Sequence, residues 1–288
     1  MKIDLHIHST CSDGRFSVYE IFEEARRRSI KVLAITDHDT IACQPEAIEL
    51  AKNYSFRYIP GIELTAYCSI PGYNEGQNAQ IHMLAYDYDL ENTKFNAYLQ
   101  DFVTTRKNRA KEVFDKLNAM LTDEGKQAFT DADFEEIYIN VPLIASRVHI
   151  ADFLVLRGIV KNRREAFAKY LIECNVILES TTPEEISELV HQAGGKLFIA
   201  HPGDRNGCSL AEFTTDIREQ HKIIEEHFMN IIDGLECYHS RHDSKTIREY
   251  RKFCEKHNLL ISGGSDCHQH PKVQMGTIRM PDFIADQF

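Results

Sequence analysis

The sequence predicts an α/β barrel interrupted by a helical insertion, on three observations. Short apolar runs of strand character alternate with amphipathic helical stretches in residues 1–91 and again in 176–288. Between them, residues 92–175 read mostly as helix. Imidazoles and carboxylates recur at the C-terminal ends of the predicted strands, the face on which parallel barrels build active sites. A chain of 288 residues is long for one compact domain and in range for such a barrel carrying an insertion.

Lys2 to His8 alternates apolar with polar, so His6 and His8 stand on one face while Ile3, Leu5 and Ile7 bury the other. Asp13-Gly14 forms a turn after them. Ser17 with Glu20 is a capping box that opens the first helix. Lys31 to Thr36 reads as a buried strand ending in Thr36-Asp37-His38-Asp39. A helix over Gln44–Lys52 leads to a third strand, Tyr58–Leu64, with Glu63 near its end. Ser69–Asn78 is a loop, and the fourth strand, Ile81–Tyr86, contains His82. Inside the insertion, one long amphipathic helix runs from about Phe95 to Met120. Asp131–Tyr138, Ser146–Leu156 and Asn162–Ile172 follow as further helices.

The α/β rhythm returns with a helix opened by Thr182-Pro183. The strand Lys196–Ala200 closes on His201-Pro202-Gly203, and Leu210–Met229 is mainly helical. Gly234–Tyr238 leads to His239, and Asp243 caps a helix. Leu259–Ser262 leads into Gly263-Gly264-Ser265-Asp266-Cys267-His268. The count is seven strands, mostly with helices between them.

Composition narrows the function classes. A formal net charge of -11 excludes coating of DNA or RNA by a general electrostatic field, though it leaves room for a local basic pocket. No apolar run is long enough to span a membrane. The eight cysteines form no CxxC pair, and together with an N-terminus that lacks signal-peptide features they point to reduced thiols and a cytoplasmic protein.

His6, His8, Asp37, His38, Glu63, His201, His239, Asp266 and His268 each lie at or just past a strand end. One such histidine is unremarkable; six strand ends offering imidazole or carboxylate imply a metal cluster. The donors are nitrogen and carboxylate, suited to Mn, Zn or Fe rather than to a thiolate site. They outnumber the needs of one ion, so two or three divalent ions are implied, an arrangement suited to displacement at phosphorus.

The succession His6-x-His8, Asp13, Thr36-Asp37-His38, Glu63, His82, Ala200-His201-Pro202, His239, Ser265-Asp266-x-His268 resembles the PHP family, the polymerase-and-histidinol-phosphatase domain. The resemblance implies a distorted seven-stranded (β/α)7 barrel with a trinuclear metal centre, capped by the helical insertion. It places His6, His8, Glu63 and Asp266 at one metal, Glu63, His82 and His201 at a second, and Asp13, His38 and His268 at a third. Some members carry His where this chain has Asp13. Ser146-Arg147-Val148-His149, Ala166-Phe167-Ala168-Lys169-Tyr170 and Gly234-Leu235-Glu236-Cys237-Tyr238-His239-Ser240-Arg241 resemble the branch of 3',5'-nucleotide bisphosphate phosphatases and 5'-3' exoribonucleases.

That resemblance implies hydrolysis of the 3'-phosphate of a substrate such as adenosine 3',5'-bisphosphate, with a hydroxide activated by the metals. The alternatives are trimming of short RNA or hydrolysis of another small phosphomonoester. The catalytic candidates are His239, Asp266 and Glu63. A second phosphate needs its own cations, and Arg147, Lys169, Arg205 and Arg241 are the candidates, with His239 also placed to orient substrate. Amide hydrolysis and a non-catalytic metal-binding module are competing classes. The oligomeric state is not legible in the sequence.

Overall fold

The computed structural model describes residues 1–139, 145, 147–176 and 181–288. Ser146 of the motif noted above, and residues 177–180, lie outside them. The chain divides into two compact units, Met1–Asn96 with Ser180–Phe288, and Ala97–Glu179.

In the first unit, β1 (Lys2–Asp4) leads to α1 (Val18–Arg28) and β2 (Ile30–Leu33). The Ser17–Glu20 capping box opens α1, and Ser29, at φ +58°, closes it in the left-handed region. Its buried stripe of Val18, Ile21, Phe22 and Ala25 packs with Ile7, Leu33 and Ile35 in one core cluster. Next come α2 (Gln44–Ala51), β3 (Arg57–Tyr58), β4 (Gly61–Cys68) and β5 (Ala79–Tyr86). The expected third strand is thus two strands. Pro60 has no N–H to donate to a ladder, and the break falls there.

Into the second unit runs the long helix α3 (Thr93–Asp123), followed by α4 (Asp131–Ile137), α5 (Arg147–Leu156) and α6 (Arg163–Ala166). The last continues through a π-helical turn, Phe167–Leu171. Phe114, Leu117, Leu121, Phe134, Phe153 and Leu154 form the buried centre of this unit.

The chain re-enters the first unit with α7 (Pro183–Gln192) and β6 (Lys196–Ile199). Then follow α8 (Ile217–Ile223), β7 (Gly234–His239), α9 (Ser244–His257) and β8 (Leu260–Gly264).

Among the described residues, the expected seven-strand barrel gives way to eight strands in two sheets, β1-β2-β3 and β4-β5-β6-β7-β8. The first sheet is parallel, as are β6-β7 and β7-β8, but β5 runs antiparallel to both neighbours. The cause is local. β4 and β5 are joined by a loop without a crossover helix, which makes a hairpin.

Among the described residues no closed barrel forms; single bonds and bridges join the sheets at two seams. At one, Leu5 N donates to Gly263 O, His8 N to Cys267 O and Asp266 N to His6 O. At the other, Glu63 N donates to Asp37 O and Asp39 N to Glu63 O. Gly264 is required at the first seam, because a Cβ there would lie 2.3 Å from the His6 nitrogen. Among the described residues, no helix is long and apolar enough to cross a membrane.

Candidate metal centre

Both seams carry donor side chains, which is why the donors meet. His6 and His8 leave the end of β1 side by side, with ring centroids 5.2 Å apart, and both are fully buried. This differs from a half-exposed strand face: residues on both sides of the alternation are inside. Glu63 projects from β4 as the hub. Its Oε1 lies 2.9 Å from His201 Nε2 and 3.1 Å from His82 Nδ1. Its Oε2 lies 3.1 Å from His6 Nε2, 3.2 Å from His8 Nε2 and 3.2 Å from His38 Nδ1. Asp266 Oδ1 adds contacts of 3.5 Å to His6, 3.3 Å to His8 and 3.4 Å to His268. Asp13 reaches His268 Nε2 at 3.2 Å, His8 Nδ1 at 3.6 Å and His38 Nε2 at 3.7 Å.

The donors fall into overlapping groups whose ligand atoms lie within 4.8 Å of one another: His6-His8-Glu63-Asp266, His8-Asp13-His38-His268 and His38-Glu63-His82. The first matches the set the resemblance implied for one metal. The third metal's expected set gains His8. The second differs, because His38 shares Glu63 with His82, while His201 meets the same Glu63 oxygen as His82. Two of the four candidate cations, Arg205 and Arg241, line one cavity of ≈ 510 Å³. Arg147 and Lys169 belong to the second unit. There the Arg147 guanidinium lies 5.8 Å from the Phe167 ring, and Lys169 pairs with Glu124 at 3.5 Å.

These residues fit divalent metal ions on three grounds. First, with Nδ1–H directed at Glu236 Oε1 at 3.0 Å, His6 turns Nε2 toward the oxygens of Glu63 and Asp266. Lone pair against lone pair is repulsive unless a proton or a cation lies between. Second, donors about 2.1 Å from a common ion sit about 3.0–3.4 Å apart, and the contacts above cluster in that range. Third, the ring Nδ1 atoms of His8 and His201 are buried with no hydrogen-bond partner.

Electrostatics agree. Burial works against charge on His6, yet Glu63, Glu236 and Asp266 outweigh it and hold the imidazole well above its ordinary pKa. His8 is likewise pushed up to about 10, against its burial, by Asp266 and Glu63. Burial would raise Glu63 and Asp266, but the facing imidazoles hold both well below the usual carboxylate range. His38 goes the other way, down to about 3, because burial prevails over Glu63 and Asp13. The centre is thus a compact array of negative charge that seeks cations, whether protons or metals.

Sequence reasoning missed Glu236. It is fully buried in β7, accepts from His6 Nδ1, and accepts the His201 backbone N–H at 2.7 Å. A carboxylate that orients a metal-ligating histidine is a recurrent device. The available signal was a charged residue inside the apolar run Gly234–His239. His239 is placed by its neighbours. The Arg241 backbone N–H donates to its Nδ1 at 3.3 Å, which leaves the ring proton on Nε2, 3.3 Å from Asp266 Oδ2.

With this geometry, similarity to known proteins is specific. The PHP domain profile matches residues 4–262. A 5'-3' exoribonuclease of Haemophilus influenzae is 34% identical over 210 residues, 70% of this chain and 69% of that protein. A 3',5'-nucleoside bisphosphate phosphatase of Chromobacterium violaceum is 29% identical over 205 residues, 70% of this chain and 67% of that protein. The matched stretch therefore spans about two thirds of each relative. A crystal structure from Bifidobacterium adolescentis, of a protein assigned by inference as a metal-dependent phosphoesterase, superposes with a TM-score of 0.76. It is 27% identical, with 99% of this chain and 94% of that one covered. The chain belongs to the PHP domain family and is a metal-dependent phosphoesterase within it.

Proposed function

We propose that the chain hydrolyses the 3'-phosphate of 3',5'-nucleotide bisphosphates, such as adenosine 3',5'-bisphosphate, to the 5'-monophosphate and phosphate. The supporting observation is the cavity lined by Arg205 and Arg241, because those residues follow His201 and His239 by four and two positions in the chain. A phosphate at the donor cluster and a second one at the arginines is the arrangement such a substrate needs. The Chromobacterium relative supports the same reading.

His6, His8, Glu63 and Asp266 would hold one ion, Glu63, His82 and His201 a second, and Asp13, His38 and His268 a third. Divalent ions, when bound, supply a more acidic water and neutralise phosphoryl oxygens. The chain's own groups do the rest. Glu236 fixes the His6 ring, and with it the direction of the His6 Nε2 lone pair. Arg241 is held ready by the buried carboxylate of Asp204, and exchanging that partner for a phosphate positions the substrate. The His239 Nε2 proton, aimed into the cluster, is available to the leaving ribose oxygen.

A second reading, a 5'-3' exoribonuclease on short RNA, is favoured by the Haemophilus relative. Parallel turnover of adenosine 3',5'-bisphosphate and of a short 5'-phosphorylated RNA decides between them. A higher kcat/KM for the bisphosphate is expected, and preference for RNA overturns the proposal. If a plain phosphomonoester outpaces both, the chain is a phosphatase of another small ester.

A further inference from the structure

Three buried aspartates outside the three donor groups above share one hydrogen-bonding pattern; one of them, Asp37, also lies with Cys11 and Cys43 in a separate group whose ligand atoms are within 4.8 Å of one another. Asp4 accepts from the Ser265 backbone N–H at 2.8 Å and the Ser265 hydroxyl at 2.7 Å. Asp37 accepts from Ser9 N–H at 2.7 Å and Ser9 Oγ at 2.6 Å. Asp39 accepts from Thr65 N–H at 2.7 Å and Thr65 Oγ1 at 2.7 Å. In each case one carboxylate oxygen takes the backbone N–H and the other the hydroxyl, so both φ and χ1 of the gripped residue are restrained. Each gripped residue adjoins a donor: Ser265 precedes Asp266, Ser9 follows His8, and Thr65 lies two past Glu63.

Asp4 also accepts from Gly276 N–H at 2.7 Å and His6 N–H at 3.4 Å, and Asp37 likewise takes two further groups. Its Oδ1 also accepts from Ser12 Oγ at 2.6 Å, and its Oδ2 from Cys43 Sγ at 2.9 Å. Ser12 precedes Asp13, and Asp37 itself precedes His38. One buried carboxylate therefore ties down the backbone beside His8, Asp13 and His38, three of the four members of one donor group.

We infer that Asp37 is a positioning residue for the His8-Asp13-His38-His268 group, and that it controls the loading of that group without contacting the ion. The inference rests on the metal-centre reading above. A buried carboxylate is suited to the task because its hydrogen bonds, three from Ser9 and Ser12 in the loop after β1 and one from Cys43 at the start of α2, are charge-assisted. Asp13 is half-exposed on a turn, so it has the most freedom to lose.

The test strips metal from the wild-type protein and from Asp37→Ala, Asp37→Asn and Ser12→Ala, then titrates each with Mn²⁺. Bound equivalents are counted by elemental analysis and by the EPR signal of free Mn²⁺, and folding is checked by circular dichroism. Asp37→Ala is expected to bind one equivalent fewer, with the others at wild-type affinity. Asp37→Asn recovers that equivalent, because its amide oxygen still accepts from Ser9 N–H and Ser12 Oγ. Ser12→Ala weakens the weakest-bound equivalent about tenfold. Wild-type protein that binds no Mn²⁺ removes the metal-centre reading itself. Normal wild-type binding, with Asp37→Ala and Ser12→Ala indistinguishable from it, overturns this inference alone. Asp37→Asn as deficient as Asp37→Ala overturns it too, since charge rather than position would then be at work. If Asp37→Ala does not fold, Ser12→Ala decides in either direction.

Discussion

The two units place their polar side chains in opposite ways. Among the described residues, every buried polar or charged side chain belongs to the first unit, including Asp4, His6, His8, Asp37, Asp39, Glu63 and Glu236. In the second unit the buried residues are hydrophobic, and its charges pair on the surface, as Lys107 does with Glu135 at 3.1 Å. Burying ionisable groups is costly unless they are paired or bind ions, so a fold keeps them inside only where their chemistry is used. The second unit shows the usual arrangement, an apolar core with the charges outside. The first shows what the chain tolerates for function, including His201 at φ +27° and Asp266 at φ +53°, both non-glycine residues in the left-handed region.

The largest expected effect separates the units directly. Asp266→Asn or His8→Ala is expected to reduce phosphate release by on the order of 10³-fold or more, with the far-UV circular dichroism of the fold retained. Turnover unchanged in both variants would contradict the donor assignment. Chelation of metal from wild-type protein should reproduce the loss, and re-addition should reverse it.

The second unit should respond in the opposite sense. Phe114 is almost fully buried in its core, against Phe129, Phe134 and Phe153. Phe114→Ala is expected to cost about 3–5 kcal/mol in that unit. Metal equivalents bound per folded chain should stay the same. Calorimetry and metal analysis on one preparation check both, and loss of metal with the core would end the contrast between the units.

A third test concerns a buried histidine beside the centre. His242 donates Nδ1–H to Cys237 O at 3.0 Å and accepts the Gly203 N–H on Nε2 at 3.1 Å. Both nitrogens are committed in the neutral ring. Burial depresses its pKa to about 4. A depressed histidine binds its proton more readily unfolded than folded. Its contribution is therefore whole above about pH 6.5 and is lost as pH falls toward 4, by up to about 3 kcal/mol. Urea unfolding of metal-free protein across that window should show the decline, and His242→Gln should flatten it. Parallel curves for the two proteins would assign the acid sensitivity to other groups.

How far the sequence carried depended on the range of the interaction. Donors at strand ends were legible because strand period and the polarity of the parallel units fix where a side chain points. That reasoning put His6, His8, Glu63, His201 and Asp266 on one rim, and they meet there within 3.5 Å of a shared carboxylate oxygen or of each other. The capping boxes at Ser17 and Thr182 were equally local and equally readable. Strand direction was not: whether β5 pairs parallel or antiparallel is set by the absence of a helix after β4, a topological fact that no residue of β5 records. The break at Pro60 was visible in principle, because proline cannot supply a ladder N–H. Glu236, Asp4, Asp37 and Asp39 were hardest to read as supports, since a supporting carboxylate is recognised only by what it touches. In sequence Asp4 and Glu236 are charged residues between apolar ones, and Asp37 and Asp39 flank His38, where a carboxylate reads as a ligand itself.

The smallest effect separates two ion pairs of the same chemistry. Arg241, about half exposed, pairs with buried Asp204, whereas Lys107 and Glu135 are both exposed. Exposed pairs contribute little, so Lys107→Ala should move Tm by no more than about 2 °C and leave kinetics untouched. Arg241→Ala should be similarly mild in Tm, yet raise KM by about tenfold for a substrate with two phosphates while changing it little for a simple phosphomonoester. Steady-state kinetics on the two substrates read the difference. An equal rise for both would mean that Arg241 acts at the reacting phosphate or on the fold around His239, and the cavity it lines would lose its assignment as the seat of the second phosphate.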